Sequence, residues 1–224
     1  MRDEWFIRGN VPMTKSEVRA VSISKLELKP DSVLCDVGAG TGSVSIEASF
    51  QVPSGQVYAV EQKPEAVELI RANKEKFKAD RVTVLEGRAP GMFHLLPPLT
   101  HAFIGGSSGA MEEVIDALLE QNPGIRMVIN VIAVETFSRV MNLLNRRGIE
   151  AEVVLVQVSR AEKTGKVHLM KGQNPVYVIS FDGRKKEDGR ESEMHDQNQK
   201  PDKLDKKEKP YKQDETDKPE VFGF

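Results

Sequence analysis

The chain has 224 residues, a formal net charge of −2 at pH 7 and a single cysteine, which suits one globular domain with an appendage and excludes an internal disulfide or cysteine metal cluster. The near balance of charge gives no general reason to expect a nucleic-acid or membrane partner. No apolar run approaches the roughly 20 residues of a transmembrane helix, and residues 1–5 lack the apolar segment of a signal peptide, so we expect a cytoplasmic protein.

The first predicted elements are a helix and a buried strand. Residues 14–17 have the Thr-x-x-Glu form of a capping box, which predicts a helix from there to about Leu28. The apolar run Val33 to Val37 has the length of a parallel strand that is covered on both faces. Because Cys35 lies inside this strand, we expect a buried, structural thiol.

Strands and helices then alternate as far as about residue 147. We predict strands over residues 56–61, 81–86, 102–104 and 126–132, and helices over residues 43–50, from 64 onward, over 111–121 and over 135–147. Residues 152–160 and 175–181 alternate apolar and other side chains, which predicts a closing antiparallel hairpin joined by a long polar connection.

The composition changes after Asp182. From Gly183 to Phe224 the chain carries dense mixed charge and almost no aliphatic side chains before Val221, so it cannot offset the entropy cost of ordering. We therefore predict a folded domain over residues 1–182 and a disordered tail over residues 183–224. The alternative is that short apolar elements of the tail act as docking segments.

The turn after the first strand carries a specific motif, Asp36-x-Gly38-x-Gly40-x-Gly42. Glycines allow a positive φ and let a ligand approach the backbone, and the amides that open the next helix offer hydrogen-bond donors. A dinucleotide fingerprint would need glycine at position 43, where the chain has serine, and this disfavours a nicotinamide-dependent oxidoreductase. The spacing instead resembles the D-x-G-x-G-x-G motif of class I methyltransferases, which use S-adenosyl-L-methionine (SAM).

Two further features agree with that motif. The second strand ends in Glu61, about 20 residues past the glycines, where a carboxylate binds the hydroxyls of a ribose. Five β/α units followed by an antiparallel hairpin are the layout of the class I methyltransferase fold, an α/β, Rossmann-like, doubly wound sheet that is mostly parallel. Ligands lie beyond the carboxyl ends of parallel strands, so the segments after Asp36, Glu61, Glu86, Ile104 and Asn130 are expected to form one crevice.

Longer segments narrow the family. Residues 11–19 read Val-Pro-Met-Thr-Lys-Ser-Glu-Val-Arg, residues 102–107 read Ala-Phe-Ile-Gly-Gly-Ser, and residues 173–176 read Gln-Asn-Pro-Val. With the glycine motif, they closely resemble the decarboxylating cobalt-precorrin C15-methyltransferases of cobalamin biosynthesis, over residues 3–181. The resemblance implies an enzyme that methylates C15 of the tetrapyrrole cobalt-precorrin-6B and removes the carboxyl group of its C12 acetate as carbon dioxide, giving cobalt-precorrin-7. It also implies a homotetramer of the anaerobic pathway.

The resemblance assigns cofactor contacts as well. The glycine turn would wrap the methionine portion of SAM, the carboxylate after the second strand would take the ribose hydroxyls, and the loop after the third strand would lie against the adenine. The residues concerned are Gly38, Ala39, Gly40, Thr41, Gly42, Glu61 and Ala89. Thr14 matches a further family contact, although helix capping alone would explain it. Arg88 stands where family members usually have an acidic residue. A carboxylate contact to the adenine amino group from this position is therefore not expected in this chain.

A substrate with many carboxylates is expected to meet cationic side chains and backbone amides. The candidates by position are Lys15, Arg19, Gly105, Gly106 and Ser107, followed by Arg88, Arg160, Lys163 and His168. For each basic residue, a solvated surface charge is the alternative. Glu135 could act on a proton, but helix capping explains it equally well. Methyl transfer needs alignment and exclusion of water, and the tetrapyrrole is its own electron sink, so we assign no catalytic residue and no metal.

Three other functions are compatible with this fold. Methyltransferases that modify tRNA share much of the core, but those that act on exocyclic amines often carry an Asn-Pro-Pro-Tyr-type motif after the fourth strand, where this chain has Gly-Gly-Ser. Another small molecule could accept the methyl group. A non-catalytic scaffold would bind SAM without turning over a tetrapyrrole.

Overall fold

A computed structural model describes residues 1–183, which form a seven-stranded sheet with helices on both faces and a separate two-stranded hairpin. The helices are α1 Ser16–Leu26, α2 Ser43–Ser49, α3 Pro64–Phe77, α4 Met111–Gln121 and α5 Val134–Arg146. The strands are β1 Val33–Val37, β2 Gln56–Glu61, β3 Val82–Glu86, β4 His101–Ile104, β5 Arg126–Val131, β6 Glu152–Val156, β7 Ser159–Thr164, β8 Val167–Gly172 and β9 Val176–Asp182. Apart from Gly183, the predicted tail lies outside the described residues and stays a prediction.

The strand order of the large sheet is β3-β2-β1-β4-β5-β9-β6. β1 pairs in parallel with both β2 and β4, so the chain order reverses across β1. β9 pairs antiparallel with β5 on one side and with β6 on the other. The carboxyl ends of β1 and β4 therefore flank the switch point of the sheet, where a ligand crevice is expected.

The side chains of β1 enter hydrophobic cores on opposite faces of the sheet. Leu34 belongs to the core that includes Ile23 of α1 and Ile46 of α2. Cys35 belongs to the other core, with Val114 of α4. Covering on both faces explains why β1 is almost continuously apolar. Cys35 is fully buried, as predicted, and burial raises the pKa of its thiol.

The predicted capping box at the start of α1 is wrong. The helix begins at Ser16, its N-cap residue is Lys15, and no side chain of the cap donates or accepts a hydrogen bond there. The carboxylate of Glu17 instead accepts hydrogen bonds from Arg160, at 2.6 and 3.1 Å. A long-range ion pair has therefore displaced the local interaction that the sequence pattern favoured.

The predicted closing antiparallel pair is confirmed as β6 and β9, but the long connection between these strands contains a hairpin that the sequence did not predict. β6 ends at Val156, and residues 159–172 form the β7–β8 hairpin, whose register pairs Ser159 with Gly172 and Thr164 with Val167. Both faces of β8 are exposed. The sequence of β7 has no apolar alternation, and so it carried no strand signal. None of the helices in the described part of the chain is long and apolar enough to cross a membrane.

Candidate functional site

The glycine turn after β1 packs backbone against backbone. Gly38 has a φ of 71°, and a Cβ atom at this position would lie 2.3 Å from the carbonyl oxygen of Gly106. The amides of Gly38 and Ala39 donate to the carbonyl oxygen of Val60, at 2.9 and 3.2 Å. The turn therefore fits between the end of β2 and the loop after β4, and only glycine is accommodated at position 38.

Glu61 holds this turn from the end of β2. Its Oε2 accepts a hydrogen bond from the amide of Gly40 at 3.0 Å. Its Oε1 accepts from the amides of Gln62 and Lys63, both at 2.9 Å. A carboxylate has about four acceptor sites, and three backbone amides use three of them, so the side chain can position the turn and still accept a hydrogen bond from a ribose hydroxyl.

Asp36 is a buried carboxyl group at the carboxyl end of β1. Ser45 of α2 donates to its Oδ2 at 2.5 Å, whereas Oδ1 is buried and has no hydrogen-bond partner within residues 1–183. Burial is the main cause that raises the pKa of Asp36 from its ordinary 3.8 to about 7. A cationic ligand group beside this carboxyl would supply the missing partner and favour its charged form.

These groups line a cavity of about 580 Å³ at the carboxyl ends of the parallel strands, as the switch point leads one to expect. Segments after β1, β2, β3, β4 and β5 all contribute to it. Residues 11–15, which we call the strap, and the approach to β9 complete the lining. A cavity of this size lies in the range of small-molecule sites.

Most of the residues predicted for the site line this one cavity. They are Thr14, Lys15, Gly38, Ala39, Gly40, Glu61, Ala89, Gly105, Gly106 and Ser107. The structure thus brings together cofactor and substrate candidates that lie up to 93 positions apart in the sequence. Their roles in binding stay predictions.

Arg19 does not line the cavity, which corrects its assignment as a substrate contact. Its side chain is fully buried and donates to Glu47 at 2.7 Å, to Asp3 at 3.2 Å and to the carbonyl oxygen of Thr14 at 2.6 Å. The guanidinium is therefore committed inside the protein. It holds the strap from behind and does not face a ligand.

Thr41 and Gly42 also lie behind the cavity and not in its lining. Thr41 is buried, and its carbonyl oxygen accepts a hydrogen bond from Asn73 at 3.0 Å. Gly42 has a φ of 76°, and a Cβ atom there would lie 3.0 Å from Ile70 of α3. The part of the motif that faces the cavity is residues 38–40, and the rest lets α2 start close to α3.

The other basic candidates divide between the cavity and the surface. Arg88 lines the cavity, and its Nη2 lies 3.5 Å from the carbonyl oxygen of Ser108. Arg160 binds Glu17 and Asp3, and this ion pair holds the pKa of Glu17 at about 2. Lys163 and His168, on the hairpin, are exposed and do not line the cavity, and neither does Glu135 at the start of α5.

Some side chains of the lining have no role predicted from the sequence. Lys63 follows Glu61 by two residues, so its position beyond the end of β2 was an available signal. Val158 before β7 had no such signal, because only the tertiary fold brings it to the cavity. No group of three or more metal-ligating side chains occurs among the described residues.

A family model described as a precorrin methyltransferase domain matches residues 4–182. The chain belongs to this family. The match spans all of the described strands and helices except the first residues, and it confirms the resemblance that residues 11–19 and 102–107 carried. The family is one of methyltransferases, which agrees with the motif of the glycine turn.

Two relatives from the precorrin methyltransferase family match this chain over nearly their whole length. The cobalt-precorrin-6B C(15)-methyltransferase (decarboxylating) of Salmonella typhi is 43% identical over 183 residues, which are 80% of this chain and 94% of that protein. A probable cobalt-precorrin-6B C(15)-methyltransferase (decarboxylating) of Sulfolobus acidocaldarius is 42% identical over 181 residues, 79% of this chain and 94% of the relative.

Solved structures confirm the class I methyltransferase fold. The precorrin-6y C5,15-methyltransferase of Geobacter metallireducens superposes with a TM-score of 0.77 at 38% identity, and the match covers 81% of this chain and 97% of that one. A SAM-dependent O-methyltransferase from Thermotoga maritima has a TM-score of 0.64 at 16% identity, over 78% of this chain and 68% of that one. This second likeness shows the fold alone.

Proposed function

We propose that this protein is a decarboxylating cobalt-precorrin-6B C15-methyltransferase that uses SAM as its methyl donor. The observation that carries the proposal is the 43% identity to the Salmonella typhi enzyme of that name across 94% of its length. The site also supports it, because most of the residues that the family resemblance assigns to cofactor and substrate lie around one cavity.

The residues on the β1–β2–β3 side of the cavity fit SAM. Gly38 and Gly40 present backbone without a Cβ that would block the approach of a ligand, Glu61 offers a carboxylate for a ribose hydroxyl, and Ala89 provides a small apolar surface for a base. Asp36 Oδ1, buried and unpartnered within residues 1–183, suits a positively charged ligand group. When bound, SAM supplies the methyl group that is transferred.

The remaining lining suits a carboxylate-bearing substrate. Lys15 and Arg88 supply positive charge, and the loop Gly105-Gly106-Ser107 supplies backbone near the glycine turn. The chain's task is to align the acceptor carbon with the donor and to exclude water. No residue is assigned as an acid or base.

Incubation of the protein with SAM and enzymatically prepared cobalt-precorrin-6B tests this proposal. We expect a tetrapyrrole that has gained one methyl group and lost one carbon dioxide, as read by its mass. Tight SAM binding without any change in the tetrapyrrole would contradict the substrate assignment and leave a tRNA or another small molecule to be tested as the acceptor.

The role proposed for Glu61 has a direct test in the variant Glu61→Gln. Loss of a charged acceptor for three backbone amides and the ribose is expected to weaken SAM binding by about tenfold or more, measured by calorimetry. Glu65→Gln makes the same change at an exposed position of α3 outside the lining and should leave the dissociation constant unchanged. Equal affinities for the two variants would exclude Glu61 from the cofactor site.

We also propose that the protein is a homotetramer, that it is cytoplasmic and that it has no nucleic-acid partner. The edge strand β6 exposes Val153 and Leu155, and apolar side chains on an exposed edge favour association. Light scattering on the purified protein tests the tetramer, and a monomer at micromolar concentration would contradict it.

A further inference from the structure

Charged side chains are unevenly distributed around the cavity. Among the described residues, the charged members of the lining are Lys15, Asp36, Glu61, Lys63 and Arg88. They come from the start of α1 and from the ends of β1, β2 and β3. The wall formed by the end of β5 and the approach to β9 has no charged side chain in the lining. We call it the neutral wall, and its residues are Asn130, Ile132, Val158, Gln173, Asn174 and Val176.

Asn130 has the best-defined geometry in the neutral wall. Ser22 of α1 lies with its Oγ 3.0 Å from Oδ1 of Asn130 and 2.8 Å from the carbonyl oxygen of Val18. The hydroxyl of Ser22 donates to the Val18 carbonyl and, at the longer distance, to Oδ1 of Asn130. This contact anchors one end of the Asn130 amide to the helix.

The other end of that amide is unused. Its Nδ2 is buried and has no hydrogen-bond partner within residues 1–183. A buried donor without a partner is destabilising, so a ligand acceptor that reaches it gains a specific contact. Asn130 therefore offers one neutral, oriented N–H donor in a wall that holds no cation.

Such a donor suits a carboxylate that is about to be lost. When the acetate side chain decarboxylates, the bond between its methylene carbon and its carboxyl carbon breaks, and the electron pair passes into the conjugated tetrapyrrole. Carbon dioxide leaves, and the methylene carbon takes up a proton. A cation bound to the carboxylate would stabilise the starting state more than the transition state and slow this step. A neutral N–H orients the carboxylate with less stabilisation of its charge.

Building on the proposed function, we propose that the neutral wall is the decarboxylation subsite and that Asn130 Nδ2 donates a hydrogen bond to the carboxylate that leaves. Lys15 and Arg88 then serve carboxylates that the product keeps. The charge distribution of the cavity thus separates the one carboxylate that reacts from those that only bind.

The variant Asn130→Asp tests this subsite with little change of shape. It keeps the oxygen that Ser22 holds and replaces only the donor with a second carboxylate oxygen. We expect kcat/KM for cobalt-precorrin-6B to fall by about tenfold or more and the carbon dioxide released per methyl transferred to fall below one, with methylated, undecarboxylated tetrapyrrole in the mass spectrum. Binding of S-adenosylhomocysteine is expected to stay within about twofold of wild type.

A second variant places a cation in the wall. Gln173→Lys is expected to leave KM unchanged or lower, because the added charge attracts carboxylates, and to lower the ratio of carbon dioxide to methyl, because the bound carboxylate is stabilised. Asn142→Asp is the matched control for the asparagine change, since Asn142 is exposed on α5 and does not line the cavity. It should behave as wild type.

The outcomes separate the two proposals. A wild-type protein that changes no tetrapyrrole refutes the proposed function itself. A working wild type with an Asn130→Asp variant that keeps both its KM and a one-to-one ratio overturns the role of Asn130. A variant with raised KM but a one-to-one ratio places Asn130 against another part of the substrate, and this also overturns the decarboxylation subsite.

Discussion

Replacement of Arg19 by methionine is expected to destabilise the protein by about 3–5 kcal/mol, because breaking this buried ion pair leaves Asp3 with only Arg160, and Glu47 with only the amino group of Met1, as an ionic partner. Arg19 is fully buried and binds Asp3, itself 3% exposed, as well as Glu47. It also donates to the carbonyl oxygen of Thr14 at 2.6 Å. The methionine can fill much of the volume, so the expected loss comes from the weakened pairing of the two carboxylates and from the carbonyl oxygen that loses its donor.

The free energy of unfolding, measured by urea titration, checks this expectation. Arg71→Met makes the same change at a half-exposed residue of α3 whose partners, Glu68 and Glu86, are exposed, and surface pairs of this kind contribute about 0–1 kcal/mol. Similar losses for the two variants would show that the Arg19 pairs are no stronger than surface pairs. If Arg19→Met does not fold, Arg19→Lys keeps the charge without the planar fork and should show an intermediate loss.

The Arg19 variants also connect stability to the site. Thr14 belongs to the strap that lines the cavity, and its carbonyl oxygen is held by Arg19. A loosened strap is expected to raise the dissociation constant of SAM, and Arg71→Met should not. Arg160 binds the other oxygen of Asp3, so the same carboxylate links the strap region to the β7–β8 hairpin.

The glycine motif shows what the sequence could predict. The positions of three residues follow from local structure. Asp36 lies at the end of a strand, Gly38 lies where the backbone passes close to another segment, and Glu61 is the carboxylate at the end of the next strand. Local requirements of this kind fix the spacing of residue types. The strand order, the switch point and the position of the cavity follow from that spacing once the βαβ units are assigned.

Arg19 shows what the sequence could not predict. It lies in the segment that identifies the family, one helical turn after Lys15, which lines the cavity. Proximity in sequence does not tell whether a cationic side chain points to a ligand or into the core. Its partners Asp3 and Glu47 are 16 and 28 residues away, so only tertiary packing selects them. The β7–β8 hairpin escaped prediction for a different reason, because the polar sequence of β7 leaves no hydrophobic pattern.

We expect Asp36→Asn to make the protein more stable and to weaken its binding of SAM. Burial raises the pKa of Asp36 to about 7 in the folded chain, against an ordinary value of 3.8. The folded state therefore holds a proton between these pH values that the unfolded state has lost, so stability falls as pH rises from about 4 to 7. This difference in pKa between the folded and unfolded chain corresponds to a change of at most about 4 kcal/mol in the free energy of unfolding.

Urea titrations at pH 4 and pH 8 test the stability half of this prediction. Asparagine carries no charge, so the variant should lose the decline across this window and exceed wild type at pH 8 by up to about 4 kcal/mol. Asp31→Asn, the same change at an exposed residue just before β1, should follow the wild-type curve. Parallel curves for wild type and Asp36→Asn would mean that the buried carboxyl does not titrate in this range.

Calorimetry with SAM tests the functional half. A cationic ligand favours the charged form of Asp36, whose Oδ1 has no partner within residues 1–183, so wild-type affinity is expected to fall as pH drops below about 7, by up to about tenfold per pH unit. Asp36→Asn should bind SAM about tenfold or more weakly at pH 8 and show no such pH dependence. The same burial that costs the folded protein stability makes the carboxylate a strong partner for positive charge, and a variant that gains stability without losing affinity would break that connection.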